Sequence, residues 1–222
     1  GSFTSRSFFD SATGKLLWSQ LQDGATIGSS SSPLVYNALG QLRAVPGFVN
    51  DIQYDESGQV TQIANANGTI TTRSFSKVRK WLNAIQTTAA SGATIQDLAY
   101  SRDAEGKIKR IESPFAYEGW DYGYDELKRF TSAANHSSAS HNQTLAYDAL
   151  GNITYNSRIG SYSYAPAGSA RPHAVLQAGS QSYTYDANGN MVSRNGKALA
   201  WDANNQLAEA EGIRYVYGGD GS

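Results

Sequence analysis

Apolar and polar residues alternate at a spacing of two along much of the chain. Tyr183, Tyr185 and Met191 fall on one face of a strand pair, and Ser182, Thr184 and Asn190 fall on the other. Strands of this kind predict a sheet with one aromatic face and one small, polar face. No convincing amphipathic helix is present to cover the aromatic face. The best candidate, residues 77–90, sits on a degraded repeat. Such a sheet must curl on itself, pack on a second sheet, or line a large assembly.

A recurring motif punctuates the strands: an aromatic residue, Asp, two residues, Gly, one residue, then an apolar residue. Tyr54-Asp55-Glu56-Ser57-Gly58-Gln59-Val60 is one copy. Tyr147, Asp148, Gly151 and Ile153 mark a second, and Tyr185, Asp186, Gly189 and Met191 a third. Trp201, Asp202, Asn205 and Leu207 mark a fourth, with Asn in the glycine position. Tyr36 to Leu42 and Tyr124 to Phe130 are looser copies, and Arg102 stands in the aromatic position of the copy that ends at Ile108. Phe9 to Leu16 carries one extra residue, and Phe75 to Trp81 reads as a faded copy lacking both Asp and Gly. From Tyr54 onward the copies are spaced by 16 to 38 residues, too irregularly for a solenoid and suited to a meander of unequal hairpins.

The motif specifies a hairpin. A three-residue loop is a type I turn followed by a residue of positive φ, which Gly fills best and Asn tolerates. Asp before the turn accepts hydrogen bonds from the turn amides. The count then sets Tyr54 opposite Val60, Tyr147 opposite Ile153, Tyr185 opposite Met191 and Trp201 opposite Leu207. Each aromatic–aliphatic pair contributes about 0.2–1 kcal/mol. Lys128, in the glycine position of its copy, should strain its turn or change the turn type. Asn195-Gly196 is a two-residue hairpin signal, and Glu211-Gly212, Ala178-Gly179 and Ile159-Gly160 are weaker ones. The chain therefore reads as an antiparallel ribbon with turns on two opposite edges.

Composition narrows the classes. The 222 residues carry 18 Lys and Arg against 19 Asp and Glu, a net charge of −1, which excludes a strongly basic nucleic-acid surface. Charged residues are only 17%, with 22 Gly and 14 Tyr, a balance foreign to a long helical bundle. With no Cys there is no disulfide framework, no thiolate zinc site and no cysteine nucleophile. No apolar run approaches the roughly 18 residues of a membrane-spanning helix, and no signal segment opens the chain. Gly1-Ser2 has the look of a cloning scar. A further repeat opens at Tyr215 and stops within its turn at Gly221, so the chain reads as a segment excised from a larger protein, a single repeat region over 1–222 with residues 1–30 its weakest part.

The series resembles the Rhs, or YD-repeat, family, which includes bacterial polymorphic toxins, the B and C components of Tc toxins, and teneurins. The resemblance is most specific from Ile95 onward, in Gly160-Ser161-Tyr162-Ser163-Tyr164, Arg171-Pro172-His173-Ala174-Val175 and the Tyr185 and Trp201 copies, which are similar to the repeat regions of SpvB-like and Tc B-like toxins. It implies a strongly twisted, curved sheet, part of a β-spiral shell that encloses a toxic C-terminal effector. It also implies export or delivery by a bacterial toxin system, with the rest of the shell and its cargo as partners. The family's self-cleaving core end, with its Asp-Pro, has no match, so no catalytic residue is carried over.

Other chemistry is weakly represented. The repeated aspartates sit before turns, which accounts for them better than glycosidase acid–base pairs. Asp186-Ala187-Asn188-Gly189-Asn190 lacks the distal acidic ligand of a calcium loop. His136 and His141 lie in a polar, Ser-rich stretch, and His173 reads as packing against or capping a loop. Neither a Gly-x-Ser-x-Gly elbow nor a P-loop occurs. No cofactor, metal or catalytic residue is expected. The densest aromatic cluster, residues 118–124, offers Trp120, Tyr122 and Tyr124 as candidate ligand contacts. The expected function is non-enzymatic, a shell or scaffold segment, and the alternative is a cell-surface module that binds glycan. Open sheet edges predict self-association: elution should shift to larger apparent mass with rising concentration, and a strictly monomeric profile at high concentration contradicts it.

Overall fold

In a computed structural model, which describes residues 5–218, the protein is all-β. Among these residues there is no α-helix, only a single 3-10 turn at Ala139–His141. Residues 77–90 form no helix; they run from a turn into a strand. The repeat that opens at Tyr215 runs into residues 219–222, which lie outside the described part, as does Gly1-Ser2.

The chain divides into two compact units, one comprising residues up to Asp121 together with Asn135–Ser137, the other Tyr122–Ala134 and the residues from Ser138 on. In the first, β1 (Arg6–Phe9), β2 (Leu16–Gln20) and β3 (Thr26–Ile27) form a small antiparallel sheet, and β4 (Val35–Tyr36) pairs with β5 (Leu42–Ala44). β6 (Val49–Tyr54), β7 (Val60–Asn65), β8 (Ile70–Phe75), β9 (Leu82–Thr88), β10 (Thr94–Arg102), β11 (Ile108–Glu112) and β12 (Trp120–Tyr124) follow, and from β7 on each pairs antiparallel with the strand before it. The division falls inside β12.

The second unit repeats the plan. It holds β13 (Phe130–Asn135), β14 (Gln143–Tyr147), β15 (Ile153–Asn156), β16 (Gly160–Tyr164), β17 (Val175–Ala178), β18 (Gln181–Tyr185), β19 (Met191–Arg194), β20 (Lys197–Trp201), β21 (Leu207–Ala210) and β22 (Ile213–Arg214). From β14 on, each pairs antiparallel with its predecessor. The register is the one the spacing predicts: Tyr54 faces Val60, Tyr147 faces Ile153, Tyr185 faces Met191 and Trp201 faces Leu207. At each of these hairpins the register slips by one residue beside the aromatic, a bulge at the turn.

The turns explain the motif atom by atom. In the Asp148 turn, Asp148 N–H donates to Asn152 O at 2.9 Å and Gly151 N–H to Asp148 O at 3.2 Å. Gly151 has φ +88°. Nothing lies within 4 Å of where its Cβ would be, so here glycine is needed for its backbone alone. Lys128 keeps the same turn, with φ +67° and the same two backbone bonds. Of the two outcomes expected for Lys128, the unchanged turn leaves strain.

The copy at Phe75 is corrected. It is not a shortened repeat closing at Trp81 but an eight-residue form, like Phe9 to Leu16, in which Phe75 pairs with Leu82. Ser76 takes the aspartate position, its Oγ accepting from Trp81 N–H at 3.0 Å, and Lys80 takes the glycine position at φ +56°.

Little of the sheet is deeply covered. Among the described residues the buried apolar side chains are Leu34, Ala133 and Ala178, and no large side chain is fully buried. Stability must then lean on directional bonds. Gly151→Ala is expected to lower stability by about 1–2 kcal/mol through the left-handed backbone alone. Lys80→Gly is expected to raise it by less than about 1 kcal/mol, strain relief being offset by unfolded-chain entropy. Chemical denaturation of the two variants checks both signs.

Candidate functional site

The side chains of the repeat do more than form hairpins; they tie each hairpin to the next. Tyr54 Oη donates to Leu42 O at 2.5 Å, and Leu42 is the closing apolar residue of the preceding repeat. Tyr36 Oη does the same to Leu16 O at 2.8 Å. In the second unit Tyr147 donates to Phe130 O (2.7 Å), Tyr164 to Ile153 O (2.9 Å), Tyr185 to Val175 O (3.0 Å) and Tyr217 to Leu207 O (3.0 Å). Trp201, lacking a hydroxyl, uses its indole Nε1–H on Met191 O at 2.7 Å. Arg102 holds the aromatic position and places Nη2 3.4 Å from Leu82 O, the equivalent acceptor. In these copies the position holds a long donor that reaches back one repeat, and Arg102 satisfies it, whereas Phe9 and Phe75 pack there without a donor.

The aspartates organise the turn edge. Each Oδ1 accepts two backbone N–H groups: Ser57 and Gln59 for Asp55, Leu150 and Asn152 for Asp148, Asn188 and Asn190 for Asp186, Asn204 and Gln206 for Asp202, all at 2.8–2.9 Å. In four copies the residue after the glycine position covers Oδ2: Asn152 at 2.9 Å, Asn190 at 3.1 Å, Arg129 on Asp125 at 2.7 Å and Lys107 on Asp103 at 3.1 Å. Partial desolvation pushes Asp103, Asp125, Asp148 and Asp186 upward, yet these bonds outweigh it and hold all four below the usual carboxylate range.

The residue after the glycine position also touches the following turn. In the first unit, Gln59 Nε2 donates to Lys80 O at 2.9 Å. The Trp81 ring occupies the space a Cβ on Gly106 would need, 2.7 Å away. In the second unit, Arg129 Nη1 donates to Asp148 O at 3.0 Å, with its guanidinium 4.6 Å from the Tyr147 ring, and Asn190 Nδ2 donates to Asn205 Oδ1 at 2.8 Å. Asn205 thus fills the glycine position with φ +58° and supplies an acceptor.

The proposed ligand aromatics lie on alternate positions of β12 and are half-buried. Trp120 pairs with Ile111 on β11. Tyr122 and Tyr124 flank Phe130, with ring centroids 6.1 and 6.2 Å from it at 54° and 76°, which is aromatic packing geometry. Other tryptophans are packing anchors too: Trp18 stacks on Phe8 at 3.7 Å, and Arg79 lies 5.0 Å over Trp81. An apolar cleft of about 470 Å³ lies elsewhere, between Tyr162, Ala178, Tyr183 and Met191.

His136 Nε2 lies 3.1 Å from Asp121 Oδ2 in a network with Arg110 and Glu112. His173 Nδ1 lies 2.7 Å from Asn152 Oδ1, which is the capping alternative of the two read from the sequence. Among the described residues no group of three or more His, Cys, Asp or Glu is placed to hold a metal ion, and no helix is long and apolar enough to cross a membrane.

No family model matches the chain, and no curated protein matches it. Solved structures do. The crystal structure of TcdB2-TccC3 with Cdc42 matches with a TM-score of 0.67 at 23% identity, covering 99% of this chain and 13% of that one. The fold is like that of part of a Tc toxin chain. TcdB2-TccC3 alone matches at 0.67 and 22%, and the Photorhabdus luminescens Tc holotoxin pore at 0.64 and 22%, again over 99% of this chain and 13% of that one. The protein thus spans about an eighth of the chains it matches.

Two predictions follow from the bonding pattern. Tyr147→Phe and Tyr185→Phe should each lower stability by about 1 kcal/mol, since a backbone carbonyl loses its donor while the ring remains; the denaturation midpoint measures it. A carboxylate held below its usual range stabilises the fold above about pH 3.9, and that contribution is lost as pH falls through the folded value. The midpoint should stay level from pH 7 to 5 and drop below about pH 4, with a shallower drop in Asp148→Asn.

Proposed function

We propose that these repeats are a wall segment of an Rhs-type toxin shell that encloses a toxic C-terminal effector and carries it until delivery. The supporting observation is the likeness to TcdB2-TccC3 over 99% of the chain. The bonding described above suits the role. A wall of hairpins has little core to hold it, and side-chain-to-backbone ties from each repeat to the last supply cohesion without a second layer. The segment performs no chemistry of its own, and its partners are the remainder of the shell and the enclosed effector. The full protein is exported or delivered by a bacterial toxin system.

The test is the intact mass and elution volume of the full-length protein that carries these repeats. Two or more masses eluting together, one of them unrelated to the repeats, are expected of a shell that cleaves and retains its cargo. A single uncleaved chain with repeats to its end overturns the proposal. Glycan recognition then leads, with a glycan-array signal abolished by Trp120→Ala as its mark.

A further inference from the structure

Ten residues join β16 to β17, against two to seven between the other neighbouring strands described. The first part, residues 165–170, is made of small residues and Pro166, and its one backbone bond within the segment is Ser169 N–H to Pro166 O at 3.0 Å. The second part is bound at both ends of its reach. Arg171 donates through Nη1 to Asp186 O and through Nη2 to Ala187 O. Its Nε lies 3.3 Å from where a Cβ on Gly189 would be. Two residues on, His173 Nδ1 meets Asn152 Oδ1 at 2.7 Å, and Asn152 Nδ2 donates to Pro172 O at 3.1 Å. Because the Asn152 amide donates to Asp148 Oδ2 and Pro172 O, its Oδ1 is the acceptor, so His173 carries its proton on Nδ1. Asn152 is buried.

These contacts occupy familiar places. Arg171 sits on the Asp186 turn as Arg129 sits on the Asp148 turn. Val175 O accepts from Tyr185 Oη as the closing apolar residue of an ordinary repeat does. Asn152, whose neighbour in the series would be a following turn, finds Pro172 and His173 instead. We propose that residues 171–175 are a strap standing in for a missing repeat: a conformational device that couples the Asp148 turn to the Asp186 turn and fixes β17 between them, while residues 165–170 are a slack loop whose continuity the coupling does not need. The strap is a single piece, so lifting either anchor releases both turns.

Site-resolved amide hydrogen exchange tests this. In Arg171→Ala, exchange should quicken about tenfold at Asn188 and Asn190, on the turn that Arg171 touches, and also at Leu150 and Asn152, which it does not touch. Ser57 and Gln59 report on a turn remote from the strap and should not change. His173→Ala should quicken the same four amides, and the double variant should exceed the larger single effect by less than twofold. A protease site inserted between Ala167 and Gly168, once cut, should leave protection at both turns intact and the two pieces together. Effects of Arg171→Ala confined to Asn188 and Asn190, additive effects in the double variant, or loss of protection on cutting would each overturn the strap.

Discussion

The cohesion of these repeats leans on a hydrogen bond from the side chain in the aromatic position to a main-chain carbonyl one repeat back. Sheets usually owe their permanence to the apolar face they bury, but among the described residues the buried apolar side chains are Leu34, Ala133 and Ala178 alone. Strand pairing alone joins neighbours weakly and leaves hairpins free to hinge. The phenol reaches across that hinge, and its ring stays packed opposite the aliphatic residue of its own hairpin. One side chain thus fixes two joints, its own turn through packing and the previous turn through its hydroxyl. The aspartate beside it secures the third element, the turn itself.

The hairpins were readable because their determinants are local. Asp148, Gly151 and the count between Tyr147 and Ile153 decide a turn and a register within seven residues. The bond from Tyr147 to Phe130 O was not readable, since its acceptor is a backbone atom 17 residues upstream and leaves no trace in side-chain identity. Arg102 was the available clue: a donor of similar length in an aromatic position is odd for packing and natural for reach. The Phe75 copy was misjudged for another reason. Ser76 and Lys80 reproduce the turn with residues that tolerate the role rather than announce it. Trp120, Tyr122 and Tyr124 stand out by density alone, and density does not separate a ligand contact from the ring packing that Tyr122 and Tyr124 make with Phe130.

The irregular spacing that argues against a solenoid also has a physical reading. Each tie links a turn to the next turn, whatever lies between them at the far edge. Long and short hairpins are therefore interchangeable so long as the near edges meet. Where they do not meet, a loop such as the one ending in Arg171 and His173 bridges the gap.

Because the acceptor of the aromatic bond is a peptide carbonyl, the bond is blind to the identity of the residue that offers it. Leu, Phe, Ile, Val and Met all serve. A repeat copied, lost or exchanged by recombination lands beside a partner that already fits, and substitutions at the acceptor leave the joint untouched. Such a chain can drift to about a fifth identity while its architecture stands still, and can lengthen or shorten by whole tiles without inventing a new interface.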